Sequence, residues 1–341
     1  AYEHLNIYPE AQAFYQLIKD AHEQADKQTA LSLIGLYRSL YPTVGDPDNL
    51  LNSLVDGNLR DSITLYRDLA TGSGHSGAVY AVDVAPDGLL CASAGADSTV
   101  RLWELPELRQ VAVLRRLNDK QITYTEFSPN GKFVVSLSQA GIVRIWAMPE
   151  GSEVIVYNEA PLVTAVTFLN DSQHLVIGDI SGKIRILDLY QQVITHTWQA
   201  HASVIKTIHC SRAGQRMVTG SNDKTVKVWN PLVDNRLRHT FAEYRWMLNT
   251  ATIAPSGKYL AIADNDYRFE VVEMETYNVR LQGDHQAGTV IKSLAFSNNS
   301  KFVASGGGDS EIKIWSVSNG KLLTVLNAHR LSVTGIAFMP D

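Results

Sequence analysis

The stretch TGSNDKTVKVW, residues 219–229, holds the pattern that decides the fold. It opens on a tight turn of Gly, Asn and Asp residues and continues as an alternating segment that ends on a Trp. Two further stretches have the same form, SAGADSTVRLW at residues 93–103 and SGGGDSEIKIW at residues 305–315, and in each the Asp precedes the Trp by six residues. A turn that tolerates positive φ, followed by an alternating strand, predicts a β-hairpin.

The Trp positions recur with a nearly fixed period. With the degenerate copies included, the landmark residues are Trp103, Trp146, Leu187, Trp229, Val272 and Trp315, which lie 43, 41, 42, 43 and 43 residues apart. Turns of the type Pro86-Asp87-Gly88 stand upstream in several copies, and such turns favour hairpin connections. A repeat of about 40–45 residues is typical of one four-stranded propeller blade.

These residues resemble the WD-repeat (WD40) β-propeller family, over about residues 62 to 341. In that family a His between blades, a Ser or Thr, the turn Asp and the Trp form a buried tetrad. Three copies match all four positions, which are His75, Ser93, Asp97 and Trp103, then His201, Thr219, Asp223 and Trp229, then His285, Ser305, Asp309 and Trp315. A His that holds an Asp on one nitrogen and a hydroxyl on the other satisfies these buried polar groups. The resemblance therefore implies a structural role, which we also expect for His329 at the next blade junction.

Other copies depart from the motif. Ala140 and Ser181 stand at the Asp position of the second and third copies, and the fifth keeps Asp266 but has Val272 in place of Trp. Such departures weaken single blades without changing the fold. The predicted fold is all-β, a seven-bladed WD40-type β-propeller over residues 62–341 whose last blade is incomplete, with a short N-terminal α-helical segment.

The amino-terminal residues 1–56 differ in pattern from the repeats. Phe14, Leu17 and Ile18 begin a series of apolar residues at helical spacing. We expect a helical hairpin, the end of an α-solenoid, or a cap on the propeller. Residues 62–69, SITLYRDL, fit either a strand or a helical face, and their position favours a strand. In WD-repeat propellers such a strand completes the last blade and closes the ring.

The seventh copy opens at His329 and stops at Pro340-Asp341, which align with Pro86-Asp87 of the first copy. Two strands of that blade are thus absent. We expect the chain to be part of a longer polypeptide.

Composition narrows the class of protein. The 341 residues carry a net charge of −5, with 45% hydrophobic and 19% charged residues, so the chain can bury several cores and shows no strong nucleic-acid signal. No apolar run is long enough to cross a membrane, and residues at the amino terminus do not show the basic, apolar and small-residue order of a signal peptide. Cys91 and Cys210 sit in different repeats and suggest a reducing compartment rather than a disulfide framework. We expect an intracellular protein, cytoplasmic or nuclear.

Motifs for catalysis, metals or cofactors are not found. The ten histidines show no ligand spacing of the HExxH kind. The stretch GDISGK, residues 178–183, has three residues between its glycines where a phosphate loop has four, and Ile184 stands where that loop has Ser or Thr. A propeller enzyme would need acid, base or metal groups converging in the central channel, and we expect none. We predict no enzymatic activity, no cofactor and no catalytic or metal-binding residue.

What remains is a surface for partners. In WD-repeat propellers the loops that bear the His and the Asp open on one face, and exposed positions there lie three and five residues after the His and just before the Asp. Carried over with the adjacent Arg-Trp pair, the predicted partner-binding residues are Tyr80, Leu162, Ile180, Val204, Lys206, Arg245, Trp246, Met247, Val290 and Lys292. Apolar anchors with Trp, Tyr and Arg are typical of binding hot spots. Alternatively, some of them pack against neighbouring loops or the helical segment.

The predicted function is a non-catalytic scaffold of a multiprotein complex that binds a protein or peptide on this face. The identity of the partner is not in the sequence, because the fold serves many processes. An alternative is a sensor or autoinhibitory propeller of a larger signalling ATPase, which would need a nucleotide-binding domain upstream of Ala1. A propeller enzyme is the third and weakest hypothesis.

Overall fold

The computed structural model describes residues 72–116, 120–214, 216–231, 236–241, 244, 247–327 and 329–340. The chain divides into two compact units, Ala1–Arg67 and Asp68–Asp341, of which the first lies outside the described residues. The predicted helical segment at 1–56 and the predicted strand at 62–69 also lie outside them. Every regular element within these ranges is a β-strand, and they contain no helix long and apolar enough to span a membrane.

The strands of the described residues form six antiparallel sheets of four, and the strand order within each sheet follows the chain. The first sheet comprises β1 (Val79–Val84), β2 (Leu90–Gly95), β3 (Thr99–Glu104) and β4 (Arg109–Arg115). The second comprises β5 (Ile122–Phe127), β6 (Phe133–Ser138), β7 (Val143–Ala147) and β8 (Ser152–Tyr157). The third comprises β9 (Val163–Phe168), β10 (His174–Asp179), β11 (Lys183–Asp188) and β12 (Val193–Gln199).

The second half of the propeller repeats this order. The fourth sheet comprises β13 (Ile205–Cys210), β14 (Met217–Ser221), β15 (Val226–Asn230) and β16 (Arg236–Phe241). The fifth comprises β17 (Leu248–Ile253), β18 (Tyr259–Asp264), β19 (Arg268–Glu273) and β20 (Val279–Asp284). The sixth comprises β21 (Ile291–Phe296), β22 (Phe302–Gly307), β23 (Ile312–Ser316) and β24 (Leu322–Leu326). The first strand of each sheet lines a central channel.

The Pro-containing turns connect the first two strands of their sheets. Gly88, Gly131 and Gly257 each adopt a positive φ, between 71° and 73°. Each glycine amide donates to the carbonyl three residues earlier, at 2.8 to 2.9 Å. A side chain at these positions would strain the backbone, so the glycines fix the hairpins that the sequence predicts.

The landmark residues all lie on the third strand of their sheets. At each of them the pairing with the fourth strand shifts register, so that a bulge recurs opposite the landmark. Their side chains pack between neighbouring sheets: Trp146 joins a core cluster with Leu102 of the first sheet, and Trp315 meets the Phe269 ring edge-on at 5.7 Å. The period of the sequence is therefore the spacing of the contacts between blades.

The seven-bladed prediction needs a correction, because the described residues form six four-stranded blades. Residues 329–340, the described part of the seventh copy, contain no assigned strand. They still contact both ends of the series: the Val333 amide donates to Gly307 at 3.0 Å, and the Thr334 hydroxyl donates to the Val79 carbonyl at 2.5 Å. A blade takes about 40 residues, so this segment is long enough for one strand but not for four.

Candidate functional site

Three of the six sheets bring a His, a hydroxyl, an Asp and a Trp within hydrogen-bond distance. In the fourth sheet His201 Nδ1 lies 2.9 Å from Asp223 Oδ2, and His201 Nε2 lies 2.7 Å from Thr219 Oγ1. Trp229 Nε1 donates to the same hydroxyl at 2.9 Å. The first and sixth sheets repeat this arrangement, with a His–Asp distance of 2.9 Å in each.

These contacts determine where the tetrad protons lie. Because Trp229 donates to the Thr219 oxygen, the Thr219 hydroxyl is free to give its own proton to His201 Nε2. Nδ1 then carries the ring proton and donates to Asp223. Both ring nitrogens are thereby satisfied, so His201 has no free lone pair with which to act as a base. The geometry suits a structural connector.

Electrostatics agree with a neutral His beside an ionised Asp. Burial lowers the pKa of His201, and the neighbouring Asp223 opposes this only in part. Burial raises the pKa of Asp223, but hydrogen bonds from the Thr225 hydroxyl, the Ala202 amide and His201 outweigh it and hold that pKa below its usual value. The pKa values of Asp97 and Asp309 are lowered in the same way.

In the third sheet an Asp–Arg ion pair takes the place of the tetrad. Sequence alignment places Ser181 at the Asp position, whereas the structure uses Asp179, two residues earlier. The fully buried Asp179 carboxylate accepts hydrogen bonds from the Ser181 and Lys183 amides at 2.8 and 3.1 Å and pairs with Arg185 at 2.5 Å. The sequence signal was Arg185, which matches Arg101, the Arg that pairs with the tetrad Asp of the first sheet.

Two other residues of the motif lie apart from any tetrad. Asp266 of the fifth sheet accepts a hydrogen bond from the adjacent Tyr267 amide at 2.8 Å. His329 is exposed and makes no hydrogen bond with the residues that the structure describes. The structural role that we expected for His329 by its recurrence is therefore not seen.

A β-bulge near the start of each innermost strand aims one side chain into the channel. The pairing of β1 with β2 skips one residue, and the same shift recurs in all six sheets. The skipped residues are Tyr80, Thr123, Thr164, Lys206, Asn249 and Lys292. Together with Thr334 they line the channel, whose volume is about 800 Å³. Bulges commonly redirect side chains in this way, and we call these seven residues the channel mouth.

Hydrogen bonds divide the channel mouth into two groups. Most of its residues bond to the protein: Tyr80 to Gln121 at 3.0 Å, Thr123 to Leu137 at 3.2 Å, Thr164 to Ile205 at 2.6 Å, Asn249 to Ile291, and Thr334 to Val79. Lys206 and Lys292 are exposed and make no hydrogen bond or ion pair with the described residues. The lysines are thus the unpartnered members of the channel mouth.

Apolar side chains surround part of this mouth. Leu162, Ile180 and Met247 are 40%, 46% and 48% exposed, and Val204 and Val290 are half-buried. We call these five residues the apolar arc. Their backbones are fixed, since Leu162 and Met247 each accept the amide of the facing hairpin turn at 2.9 Å, but their side chains remain open to solvent. The predicted binding residues Arg245 and Trp246 lie outside the described residues.

Comparison with known proteins identifies the repeats. The family model described as "WD domain, G-beta repeat" matches residues 66–104, 111–147, 192–230 and 278–316. Each match ends one residue after a landmark Trp of the propeller. The chain belongs to the WD-repeat family. The prediction made from the Asp and Trp spacing is therefore confirmed.

Curated WD-repeat relatives are distant in sequence. The chain is 21% identical to the WD repeat-containing protein WDS homolog of Arabidopsis thaliana, over 83% of this chain and 58% of that protein. It is 23% identical to human pre-mRNA-processing factor 17, over 79% of this chain and 48% of that protein. It is 25% identical to eukaryotic translation initiation factor 3 subunit I of Bombyx mori, over 72% of this chain and 82% of that protein. The chain spans about half the length of the first two relatives.

Deeper in the channel of this WD-repeat propeller lies a layer of ionisable side chains that the sequence reasoning missed. Asp83, Glu126 and His209 each occupy the last position but one of an innermost strand. Burial raises the pKa of Asp83 to about 6, and burial with the nearby Asp83 raises that of Glu126 to about 8. Burial and Arg212 lower the pKa of His209 to about 4. The expectation that no acids or bases converge in the channel was therefore wrong.

The two acids of this layer bond to the neighbouring sheets. Asp83 accepts the Phe127 amide at 2.7 Å, and Glu126 accepts the Phe168 amide at 3.3 Å and the Thr167 hydroxyl at 3.1 Å. These contacts join the first sheet to the second and the second to the third. Both carboxylates thus act as connectors between blades.

A possible metal-binding group coincides with a tetrad. Among the described residues, His285, Asp309 and Glu311 place ligand atoms close enough to share an ion. His285 already contacts Asp309 at 2.9 Å and Ser305 at 2.8 Å through its two nitrogens. A metal could bind there only by disrupting the tetrad.

Proposed function

We propose that this WD-repeat chain is a non-catalytic interaction module that binds a protein or peptide on the propeller face bearing the apolar arc and the channel mouth. The observation that carries the proposal is the exposure of Leu162, Ile180 and Met247, between 40% and 48%, on three rigid loops of one face. Grouped apolar side chains on a fixed backbone lose little entropy on binding, and such patches mark interaction sites.

The chemistry of the buried polar groups supports a role without catalysis. The tetrad histidines hold both ring nitrogens in hydrogen bonds within the fold. The channel acids Asp83 and Glu126 accept backbone amides of the neighbouring blades. Groups committed to such contacts are poor candidates for general acids or bases. We expect no turnover in hydrolase and nucleotide-hydrolysis assays.

The names of the relatives support membership of a multiprotein complex inside the cell. One is a pre-mRNA-processing factor and another is a subunit of a translation initiation factor. For this chain we propose a scaffold role of the same general kind in the cytoplasm or nucleus. The particular process is left open, because fold alone does not choose among them.

Affinity capture with matched variants tests the proposed face. The double variant Leu162→Ser/Met247→Ser removes two members of the apolar arc. The control, Val111→Ser/Val154→Ser, removes two valines of similar exposure, 44% and 42%, from the outermost strands β4 and β8.

Bait proteins of equal thermal stability are incubated with lysate, and the bound proteins are quantified by mass spectrometry. We expect the arc variant to lose the proteins that the wild type retains and the control variant to keep them. The reverse pattern would place the interface on the outer strands instead.

A further inference from the structure

The two lysines of the channel mouth stand on either side of a fixed amide. Lys206, Asn249 and Lys292 are the bulge residues of the fourth, fifth and sixth sheets. The Asn249 amide is held by the Ile291 carbonyl of the next sheet. The two lysines have no such contact among the described residues, and both are exposed. The bulge residues of the other sheets are hydrogen-bonded within the protein, so the two lysine ammonium groups are the ones available to a ligand.

No carboxylate shares the channel mouth with these lysines, since its other members are Tyr80, three threonines and Asn249. The nearest ionisable layer lies three residues further along the strand, as His209 does from Lys206, which is about 10 Å at strand spacing. In that layer burial and the nearby Asp83 raise the pKa of Glu126 to about 8, so Glu126 carries little negative charge at neutral pH. Asp83, whose pKa is about 6, is ionised there, so one negative charge faces the two lysines from this depth. The mouth is therefore a local positive site on a chain whose net charge is −5.

Each lysine also adjoins the apolar arc in sequence. Val204 precedes Lys206 by two residues, and Val290 precedes Lys292 by two. The bulge turns the lysine into the channel, while the valine stays half-buried in the loop above it. A ligand that reaches both groups needs a negative charge with apolar groups around it.

We propose that Lys206 and Lys292 bind an anionic side chain, phosphorylated or carboxylate, of a peptide whose flanking apolar residues lie on the apolar arc. The proposal rests on the docking function proposed above and names the chemistry of the partner. Charge-assisted hydrogen bonds from two ammonium groups hold the anion over the channel. The Asn249 amide between them is already bonded and positions the strand rather than the ligand.

Fluorescent peptide mixtures provide the test. The central residue is fixed as phosphoserine, Glu, Ser or Lys, and the flanking positions are randomised among Leu, Val, Met, Phe and Gly. Binding is measured by fluorescence anisotropy with the full chain. We expect the phosphoserine mixture to bind about ten-fold or more tightly than the Ser mixture, Glu to lie between them and Lys to bind most weakly. The difference should shrink as salt rises.

Variants then assign the effect to the lysines. Lys206→Met/Lys292→Met should bring the ratio between the phosphoserine and Ser mixtures close to one. Lys183→Met/Lys258→Met, which changes two exposed lysines that do not line the channel, should leave it intact. Equal binding of the two mixtures by the wild type, or a ratio that survives the first double variant, would overturn the proposal.

Two further arms separate this proposal from the one on which it rests. Inorganic phosphate that competes as tightly as the peptide mixture would show an anion site without a peptide site and would contradict the proposed ligand. Leu162→Ser/Met247→Ser should weaken the phosphoserine and Ser mixtures alike. If that variant changes neither, the arc is not the docking surface, whereas a retained charge preference would still assign the anion to the lysines.

Discussion

Asp83 of the first sheet accepts a hydrogen bond at 2.7 Å from the backbone amide of Phe127 in the second sheet. One blade further on, Glu126 repeats the contact with the Phe168 amide. These carboxylates join three consecutive blades around the central channel. Because the pKa values of both half-buried side chains are raised, their contribution to stability depends on pH.

Because the pKa of Glu126 is raised, we expect the protein to lose stability in mildly alkaline solution. Its pKa in the folded protein is about 8, above its usual 4.5, so the folded state keeps a proton that the unfolded state releases. Stability therefore falls as pH rises from about 4.5 through 8. Between pH 6.5 and 8.5 the melting temperature should drop, and Glu126→Gln should reduce that drop. The exposed Glu107→Gln is the control. An equal drop in wild type and Glu126→Gln would contradict the assignment.

We expect the loss of a single tetrad Asp to lower the free energy of unfolding strongly. Asp223→Ala leaves His201 Nδ1 and the Ala202 amide without their acceptor, at a cost of about 1–3 kcal/mol. Asp266→Ala removes the equivalent Asp of the fifth sheet, which accepts the Tyr267 amide and bonds to no His among the described residues, and should cost less. Urea denaturation of both variants measures the difference. Similar free energies of unfolding for Asp223→Ala and wild type would count against a structural tetrad.

Asp179 should matter as much as a tetrad Asp. Its carboxylate is fully buried and accepts two backbone amides, the Ser181 hydroxyl and the Arg185 side chain. Asp179→Ala leaves these donors unpaired and should destabilise the fold by about 1–3 kcal/mol or more. Ser181→Ala, at the position that alignment selects, removes only one of these donors and should have a smaller effect. If Ser181→Ala lowered the free energy of unfolding more than Asp179→Ala, the position chosen by alignment would be the important one and the assignment of Asp179 would be wrong.

Partner binding should depend on the anchors predicted at residues 246 and 247. Trp246→Ala or Met247→Ala should weaken binding of a captured partner by about 2 kcal/mol or more, as hot-spot residues do, without changing the melting temperature. Calorimetric titration gives the affinities. Binding that survives both truncations but is lost when residues 1–56 are deleted would assign the interface to the amino-terminal segment.

Much of the fold could be predicted from the sequence, because the residues that make the contacts between blades recur at a regular spacing. The spacing of the landmark residues indicates the third strand of each sheet, and Trp146 and Trp229 each pack in a core cluster with residues of the preceding sheet. The predicted count of seven blades was wrong for the described residues, because it took residues 329–340 as the start of a seventh, incomplete blade. The ends of a repeat array lack the neighbours that define its interior copies.

The acids of the channel and the buried Asp of the third sheet could not be predicted from the sequence. Asp83 and Glu126 appear in the sequence as isolated acids, and only the arrangement of the strands places them with His209 on the wall of one channel. Asp179 lies two residues from its expected position, so a fixed period passes over it. Both cases involve side chains whose partners are set by tertiary geometry rather than by spacing along the chain.

Hydrogen–deuterium exchange on the complex with a captured partner tests the docking claim most directly. We expect protection of the loops at residues 160–164, 180–182, 202–206, 247–249 and 286–292, which carry the apolar arc and the two lysines, with β4 and β8 unchanged. Protection confined to β4 and β8, or to residues 1–56, would contradict it.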